Sequence, residues 1–160
     1  MTPFMLGRRG LRVALATALL LAASQLALAD KTPGVPLLPA YQQECAACHI
    51  AYPPGMLPAA SWQRLMGNLQ NHYGTDASLD AATVKQLSVW LNTHAGTYKR
   101  VSAPPPDDRI TRSAWFIREH DEVPAATWKR PAVKSAANCA ACHTQADQGD
   151  FRERNIRIPR

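Results

Sequence analysis

The chain of 160 residues has few sulfur-containing residues. It has only four cysteines, all in two short stretches. If these two stretches share one role, no thiol remains for a disulfide or a separate reactive role. Residues 97–160 contain no methionine. No glycine-rich phosphate loop and no Ser-His-Asp arrangement stands out. These absences disfavour a phosphate-loop enzyme and a serine hydrolase, and they direct attention to the cysteines.

All four cysteines belong to one repeated pentapeptide. The letters CAACH occupy residues 45–49 and return ninety-four residues later at 139–143. A Cys-x-x-Cys-His sequence is the attachment signature of a c-type haem, in which each thiol reaches one vinyl group and the histidine binds the iron. The repeat therefore predicts two haem c groups with iron. Their thioether bonds would come from Cys45, Cys48, Cys139 and Cys142, and their first axial ligands would be His49 and His143.

Paired cysteines also occur in zinc sites, in redox-active disulfides and in structural disulfides. None of those uses requires a histidine directly after the second cysteine, and here both copies have one. Zinc-ribbon pairs are usually about 15–20 residues apart, much closer than these two pairs. The histidines therefore favour haem over zinc or disulfides.

The first 29 residues have the features of a secretory signal peptide. Three arginines lie near its start, residues 13–28 are mostly apolar, and an Ala-Leu-Ala cleavage site ends at Ala29. We expect cleavage there and an exported, periplasmic protein that is not integral to the membrane. An uncleaved membrane anchor is the alternative, although the apolar run is shorter than the ~20 residues of a membrane span.

Removing the signal peptide leaves fifteen basic and twelve acidic residues, a formal charge of +3 in place of +6. Twelve of those basic residues lie in 97–160, together with eight acidic ones. An exported chain meets little nucleic acid, and haem carboxylates offset part of the positive charge. We therefore expect no nucleic-acid partner and, at most, a charge bias in docking to other proteins.

The spacing of apolar residues and prolines predicts a mostly α chain in two haem-binding parts. Three- and four-residue spacing predicts helices at 59–72, 80–94 and 111–120, with Asp80 as an N-cap and Gly74 as a terminator. Three consecutive prolines mark a boundary between the parts. The predicted organisation is a signal peptide at 1–29, a first haem domain at 30–97, a proline-rich linker at 98–109 and a second haem segment at 110–160.

The ligand opposite each motif histidine decides what that haem does. A strong-field sixth ligand makes an electron carrier, whereas an open position allows ligand binding or catalysis. For the second haem the choice is short, because His120 is the only histidine of 97–160 outside the motif. The alternative for His120 is an exposed position at a helix end, beside Glu119 and Asp121.

The first haem has four candidate ligands. Met66 lies within a helix stripe, where methionine is more often a core residue, and Met56 follows the first motif too closely to pass round the haem edge. His72 and His94 both lie on apolar helix faces, so periodicity alone does not choose between them. We favour His72 because it ends a helix at a predicted turn, and we keep His94 as the alternative.

Beyond the pentapeptides, the chain resembles the small dihaem cytochrome c family of bacterial periplasms. The resemblance covers essentially the whole chain after the signal peptide, in ordered blocks at 45–49, 62–66, 68–69, 72–74, 76–80, 110–111, 115–116, 118–120 and 138–143. It implies a cytochrome c type I fold for the first half and an irregular α haem-wrapping second half. It also implies bis-histidine ligation, pairing His49 with His72 and His143 with His120, whereas His94 lies outside the matched blocks.

The same resemblance implies electron transfer to a small oxygen-binding monohaem cytochrome c, with a membrane b-type cytochrome as a candidate donor. We therefore predict an electron carrier with two low-spin haems, not an enzyme. The competing hypotheses are a gas-binding sensor and a dihaem redox enzyme, such as a peroxidase or a thiol-oxidising cytochrome with one open haem. Such an enzyme would ordinarily have a longer chain, with room for a substrate pocket.

Overall fold

The computed structural model describes residues 35–160, and the regular elements in that range are all helical. In chain order the α-helices are α1 (Pro39–Cys45), α2 (Ala59–Met66), α3 (Ala81–His94), α4 (Ala114–Glu119) and α5 (Ala125–Trp128). Between and after them lie 3₁₀ turns at Pro54–Met56, Leu69–Asn71, Lys99–Val101, Pro106–Asp108, Ile110–Arg112, Cys139–Ala141, Ala146–Gln148 and Glu153–Asn155. The predicted mostly α fold class is confirmed. The predicted signal peptide lies outside the described residues, and within 35–160 no helix is long and apolar enough to cross a membrane.

The core of the first half forms where α1, α2 and α3 meet. Leu87 and Leu91, four residues apart on one face of α3, are fully buried. They share a core cluster with Trp62 of α2 and Tyr41 of α1. This arrangement follows from the apolar spacing, because residues four apart lie on the same side of a helix.

The predicted N-cap of α3 is confirmed. The Asp80 carboxylate accepts hydrogen bonds from the backbone N–H groups of Ala82 and Thr83, both at 3.0 Å. These contacts satisfy two of the four donors that a helix start leaves without intrahelical partners. The Thr83 hydroxyl also donates to this carboxylate at 2.6 Å, and that contact, with the backbone contacts, holds the pKa of Asp80 below its usual range.

The helix predicted to run from 59 to 72 is shorter than expected. It ends at Met66, and Leu69–Asn71 forms a separate 3₁₀ turn. Gly67 follows the last helical residue, and the backbone of Asn68 is non-helical with φ −142°. Glycine and asparagine are poor helix formers, so the pair interrupts a pattern that apolar spacing alone would continue.

The helix predicted at 111–120 is also shorter than expected. Ser113 is its N-cap, with the hydroxyl oxygen accepting from the Phe116 N–H at 3.2 Å, and α4 spans Ala114–Glu119. A serine cap offers the backbone a local partner that competes with continued helix upstream. His120 therefore follows the last helical residue.

The predicted linker at 98–109 packs against the first half. The Tyr98 hydroxyl donates to the Gly55 carbonyl at 2.8 Å, and the Arg64 guanidinium donates two hydrogen bonds to Asp108, at 2.6 and 2.8 Å. All described residues fall within one compact unit. The division into two haem parts at this segment stays a prediction, and the segment itself is anchored along its length.

Candidate haem sites

Two cavities lie at the two pentapeptides. The first, of about 370 Å³, is lined by Cys45, Cys48, His49 and His72. The second, of about 650 Å³, is lined by Cys139, Cys142, His143 and His120. Both volumes fall within the roughly 300–1,000 Å³ typical of pockets that bury small ligands. Each cavity thus brings together one motif and the non-motif histidine that the family resemblance paired with it.

In the first cavity, His49 and His72 face each other, with ring centroids 6.2 Å apart and an angle of 28° between the ring planes. The Nδ1 atom of His49 lies 2.7 Å from the Ile50 carbonyl oxygen. Because a carbonyl oxygen can only accept, this contact places the proton on Nδ1 and leaves the Nε2 lone pair available for a metal ion.

A tight turn presents His72. The backbone of His72 exchanges hydrogen bonds with that of Thr75, at 2.8 and 3.1 Å, and the two residues between them, Tyr73 and Gly74, both have positive φ. Positive φ at both central positions is the requirement of a type I′ turn, and glycine meets it without strain. The predicted turn at Gly74 is therefore present. The prediction that Gly74 ends a helix is wrong, because the helix ends earlier, at Met66.

In the second cavity, His120 and His143 have ring centroids 6.1 Å apart and ring planes 72° apart. His120 follows α4, where its Nδ1 lies 2.9 Å from the Phe116 carbonyl oxygen and its ring stacks on the Phe116 ring at 4.0 Å. These two contacts orient the imidazole and again leave Nε2 available. The alternative of an exposed histidine at a helix end does not describe this position.

The C-terminal tail holds the second motif in place. The N–H of Arg157 donates to the Cys142 carbonyl at 2.8 Å, and the N–H of Thr144 donates to the Asn155 carbonyl at 3.0 Å. Phe151 lies beside the His143 ring, with centroids 5.2 Å apart. The tail is therefore fixed to the second motif by two backbone hydrogen bonds and one ring contact.

The spacing of both histidine pairs fits one iron between two imidazoles. Two imidazoles that bind one metal from opposite sides at about 2.0–2.1 Å each have ring centroids roughly 6 Å apart. Burial, with the nearby positive charge of His49 and Arg109, lowers the pKa of His72. Burial, with the nearby charge of His120, lowers the pKa of His143. Lower pKa values favour the neutral imidazole, which is the form that binds a metal.

The zinc and disulfide alternatives find no support in residues 35–160. The four cysteines form no disulfide, and no three His, Cys, Asp or Glu side chains in this range cluster closely enough to hold a metal ion. Burial raises the pKa of the Cys45 and Cys139 thiols to about 11.

The remaining candidate ligands lie elsewhere or have other contacts. His94 lines neither described cavity, and its Nδ1 lies 2.8 Å from the Trp90 carbonyl oxygen. Met66 lines the first cavity but belongs to the buried core of α2. Met56, which the sequence offers as a candidate ligand only of the first haem, lines the second cavity. No sequence signal indicated this position, which arises because the Pro54–Met56 turn lies at the second cavity.

Both cavities draw residues from both sides of the predicted boundary. Thr111 and Ala137 line the first cavity, whereas Pro53 and Gly55 line the second. Cys139 lines both. The two candidate haem sites are therefore neighbours that share a wall.

A model of the dihaem cytochrome c family matches residues 41–151 of the chain. The chain belongs to the dihaem cytochrome c family. A search of curated proteins found no match. Membership in this family establishes two covalently bound haem c groups with iron as the cofactors, and it supports a dihaem electron-transfer protein.

Solved structures of dihaem cytochromes c resemble this chain over most of its length. One from Shewanella baltica is 37% identical with a TM-score of 0.68, and the match covers 78% of this chain and 95% of that one. One from Rhodobacter sphaeroides is 41% identical with a TM-score of 0.66, covering 73% of this chain and 98% of that one. A second Rhodobacter sphaeroides structure is 42% identical with a TM-score of 0.63, covering 73% and 99%.

Proposed function

We propose that this dihaem cytochrome c is an exported, periplasmic electron carrier in which two histidines bind each haem iron. One observation supports this most strongly: at each cavity a motif histidine faces a second histidine from a separate element, at 6.2 Å and 6.1 Å between ring centroids. The haem supplies reversible one-electron chemistry, and two strong-field ligands close the iron to other ligands.

The protein fixes two of the four imidazoles by contacts to both the ring face and Nδ1. Carbonyl contacts at Nδ1 set the tautomer of His49 and of His120, and such second contacts orient a ligand and raise its basicity. Packing against Tyr52 and Phe116 holds the same two rings. Rigid ligands change little between oxidation states, which suits electron transfer.

Two side chains at the second cavity suit the carboxylates that every haem carries. The indole Nε1 of Trp115 is buried and has no hydrogen-bond partner among the described residues. Arg100 lines the same cavity, with its guanidinium carbon 5.6 Å from the Trp115 ring centroid. An N–H donor and a positive charge together would stabilise a carboxylate there, and we assign them that role.

The partners we propose are other redox proteins. The acceptor is a small oxygen-binding monohaem cytochrome c, and the donor is a membrane b-type cytochrome. The excess of basic residues in 97–160 favours an acidic docking face on a partner. A dihaem enzyme would need one iron without a second ligand, and each cavity instead contains a second histidine.

A spectroscopic redox titration tests the proposed function. Methionine opposite histidine raises the haem potential relative to two histidines, so both centres should titrate well below an ordinary histidine-methionine cytochrome c. Each centre should gain and lose one electron reversibly. A centre in the histidine-methionine range would show that Met56 or Met66 has replaced a histidine as ligand.

A further inference from the structure

Tyr52 contacts both candidate haem sites. Its ring stacks on the imidazole of His49, with centroids 4.7 Å apart and ring planes 22° apart. Its hydroxyl donates to the Ala137 carbonyl oxygen at 2.7 Å, across eighty-five residues of sequence. Ala137 lies two residues before Cys139, the first attachment residue of the second haem. One side chain therefore joins a ligand of the first haem to the attachment segment of the second.

The first half holds Tyr52 firmly. The Tyr41 hydroxyl donates to the Tyr52 carbonyl at 2.8 Å, and Tyr41 is only 2% exposed. Ala51, the preceding residue, is buried in the same core cluster, and Pro53 and Pro54 follow. Proline restricts the backbone on both sides of the peptide bond that precedes it. Tyr52 thus extends from a rigid base.

The wall that the two cavities share lies at the same place. Cys139 lines both cavities, and Ala137 and Tyr52 both line the first. The hydrogen bond from Tyr52 therefore crosses the junction where the two haem sites approach each other.

We infer that Tyr52 is a positioning residue that couples the two haem centres. It holds the attachment segment of the second haem against the His49 ligand of the first. The His49 ring, the Tyr52 ring, the hydrogen bond to Ala137 and the backbone to Cys139 form a continuous route for electrons. This inference rests on the proposed function, because it takes His49 as an iron ligand.

The coupled step is a transfer of one electron within the protein. With haem bound at both sites, one site would lose an electron and the other would gain it, so that the oxidation and the reduction balance and no bond to hydrogen breaks. Tyr52 keeps its proton, because its hydrogen-bond acceptor is an amide carbonyl, which is a very weak base. Tyr52 is therefore part of the medium between the haems and is not itself oxidised.

The test compares Tyr52→Phe with a matched control, Tyr73→Phe. Tyr73 also lies beside a first-haem histidine, with its ring centroid 4.9 Å from that of His72, and its hydroxyl also donates to a backbone carbonyl, that of Asp107 at 3.0 Å. That carbonyl is not in the attachment segment of the second haem. The two variants therefore remove similar hydroxyls and differ in whether a link between the haem sites is lost.

The measurement is the rate of electron redistribution between the haems after a flash delivers one electron per molecule. We expect Tyr52→Phe to slow redistribution severalfold and to weaken the effect of one haem's oxidation state on the other's potential. We expect Tyr73→Phe to leave the redistribution rate at the wild-type value and, because Tyr73 lies beside His72, to confine any change to the potential of the first haem. Equal rates and potentials in all three proteins would overturn the inference, even if Tyr52→Phe lowered thermal stability.

A second variant separates the ring from the hydroxyl. Tyr52→Leu also removes the stacking on His49, so it should slow redistribution further than Tyr52→Phe. A Tyr52→Leu rate equal to that of the wild type would contradict the route. Failure of the proposed function would be seen separately, because wild-type protein with an open haem would have a high-spin spectrum before any flash.

Discussion

Replacing His120 with alanine is expected to open the second haem to carbon monoxide while leaving it attached through Cys139 and Cys142. His120 is the non-motif histidine that faces His143, at 6.1 Å between ring centroids. Loss of its imidazole leaves a five-coordinate iron, which is high-spin and binds gaseous ligands. The absorption spectrum of the reduced variant, with and without carbon monoxide, measures the change. The first haem should be unaffected.

The His120→Ala experiment needs a control for Met56, which could replace His120 as the iron ligand. It lines the second cavity and is the one sulfur ligand among the described residues that lines it besides the attachment cysteines. If His120→Ala stays six-coordinate, the double variant His120→Ala with Met56→Leu tests whether Met56 has taken the vacant position. A double variant that is still six-coordinate and insensitive to carbon monoxide would contradict ligation by His120.

Replacing His72 with alanine should have the same effect on the first haem, and His94→Ala provides its control. His72 faces His49 across the first cavity, whereas His94 lines neither cavity and contacts Trp90. We expect His72→Ala to give a high-spin first haem that binds carbon monoxide. We expect His94→Ala to leave both haem spectra unchanged and to lower the free energy of unfolding by about 0.5–3 kcal/mol, as is usual for a point change.

The opposite pattern of spectra would show that the wrong histidine had been assigned to the first haem. If His94→Ala opened a haem while His72→Ala left both spectra unchanged, the first-haem ligand would be His94. Met66 also lines the first cavity, so a six-coordinate His72→Ala is compared with the double variant that adds Met66→Leu.

In the second half of the chain, loss of an iron ligand should also lower stability. Its buried apolar side chains are few, chiefly Phe116, Val133 and Ala146, and its helices are short. A segment of this size buries too little apolar surface to be stable alone. We therefore expect the bound haem to supply much of the core, so that removal of an iron ligand also weakens the packing around it.

Local chemistry made part of this structure predictable from the sequence. The pentapeptides predict haem attachment because two thiols at that spacing can both bond to one haem and the adjacent histidine can bind its iron. Asp80 is predictable as an N-cap, and Gly74 as a turn residue, because each satisfies a local backbone requirement. Elimination left His120 as the available second-haem ligand because its half of the chain has no methionine and no other free histidine.

Contacts between distant parts of the chain were not predictable in the same way. Apolar periodicity extended the helix at 59–72 past Met66, because periodicity records the buried face and not the break that Gly67 introduces. The placement of Met56 at the second cavity, and the Tyr52 link to Ala137, depend on how the halves pack. Neither leaves a periodic or motif-like signal in the sequence.

If two histidines close each haem iron, neither haem binds carbon monoxide, and the absorption spectrum of the reduced wild-type protein with and without carbon monoxide measures this directly. We predict two low-spin haems whose bands do not change when carbon monoxide is added. A rapid shift of either haem band would show an open or displaceable iron position and would contradict closure by two histidines.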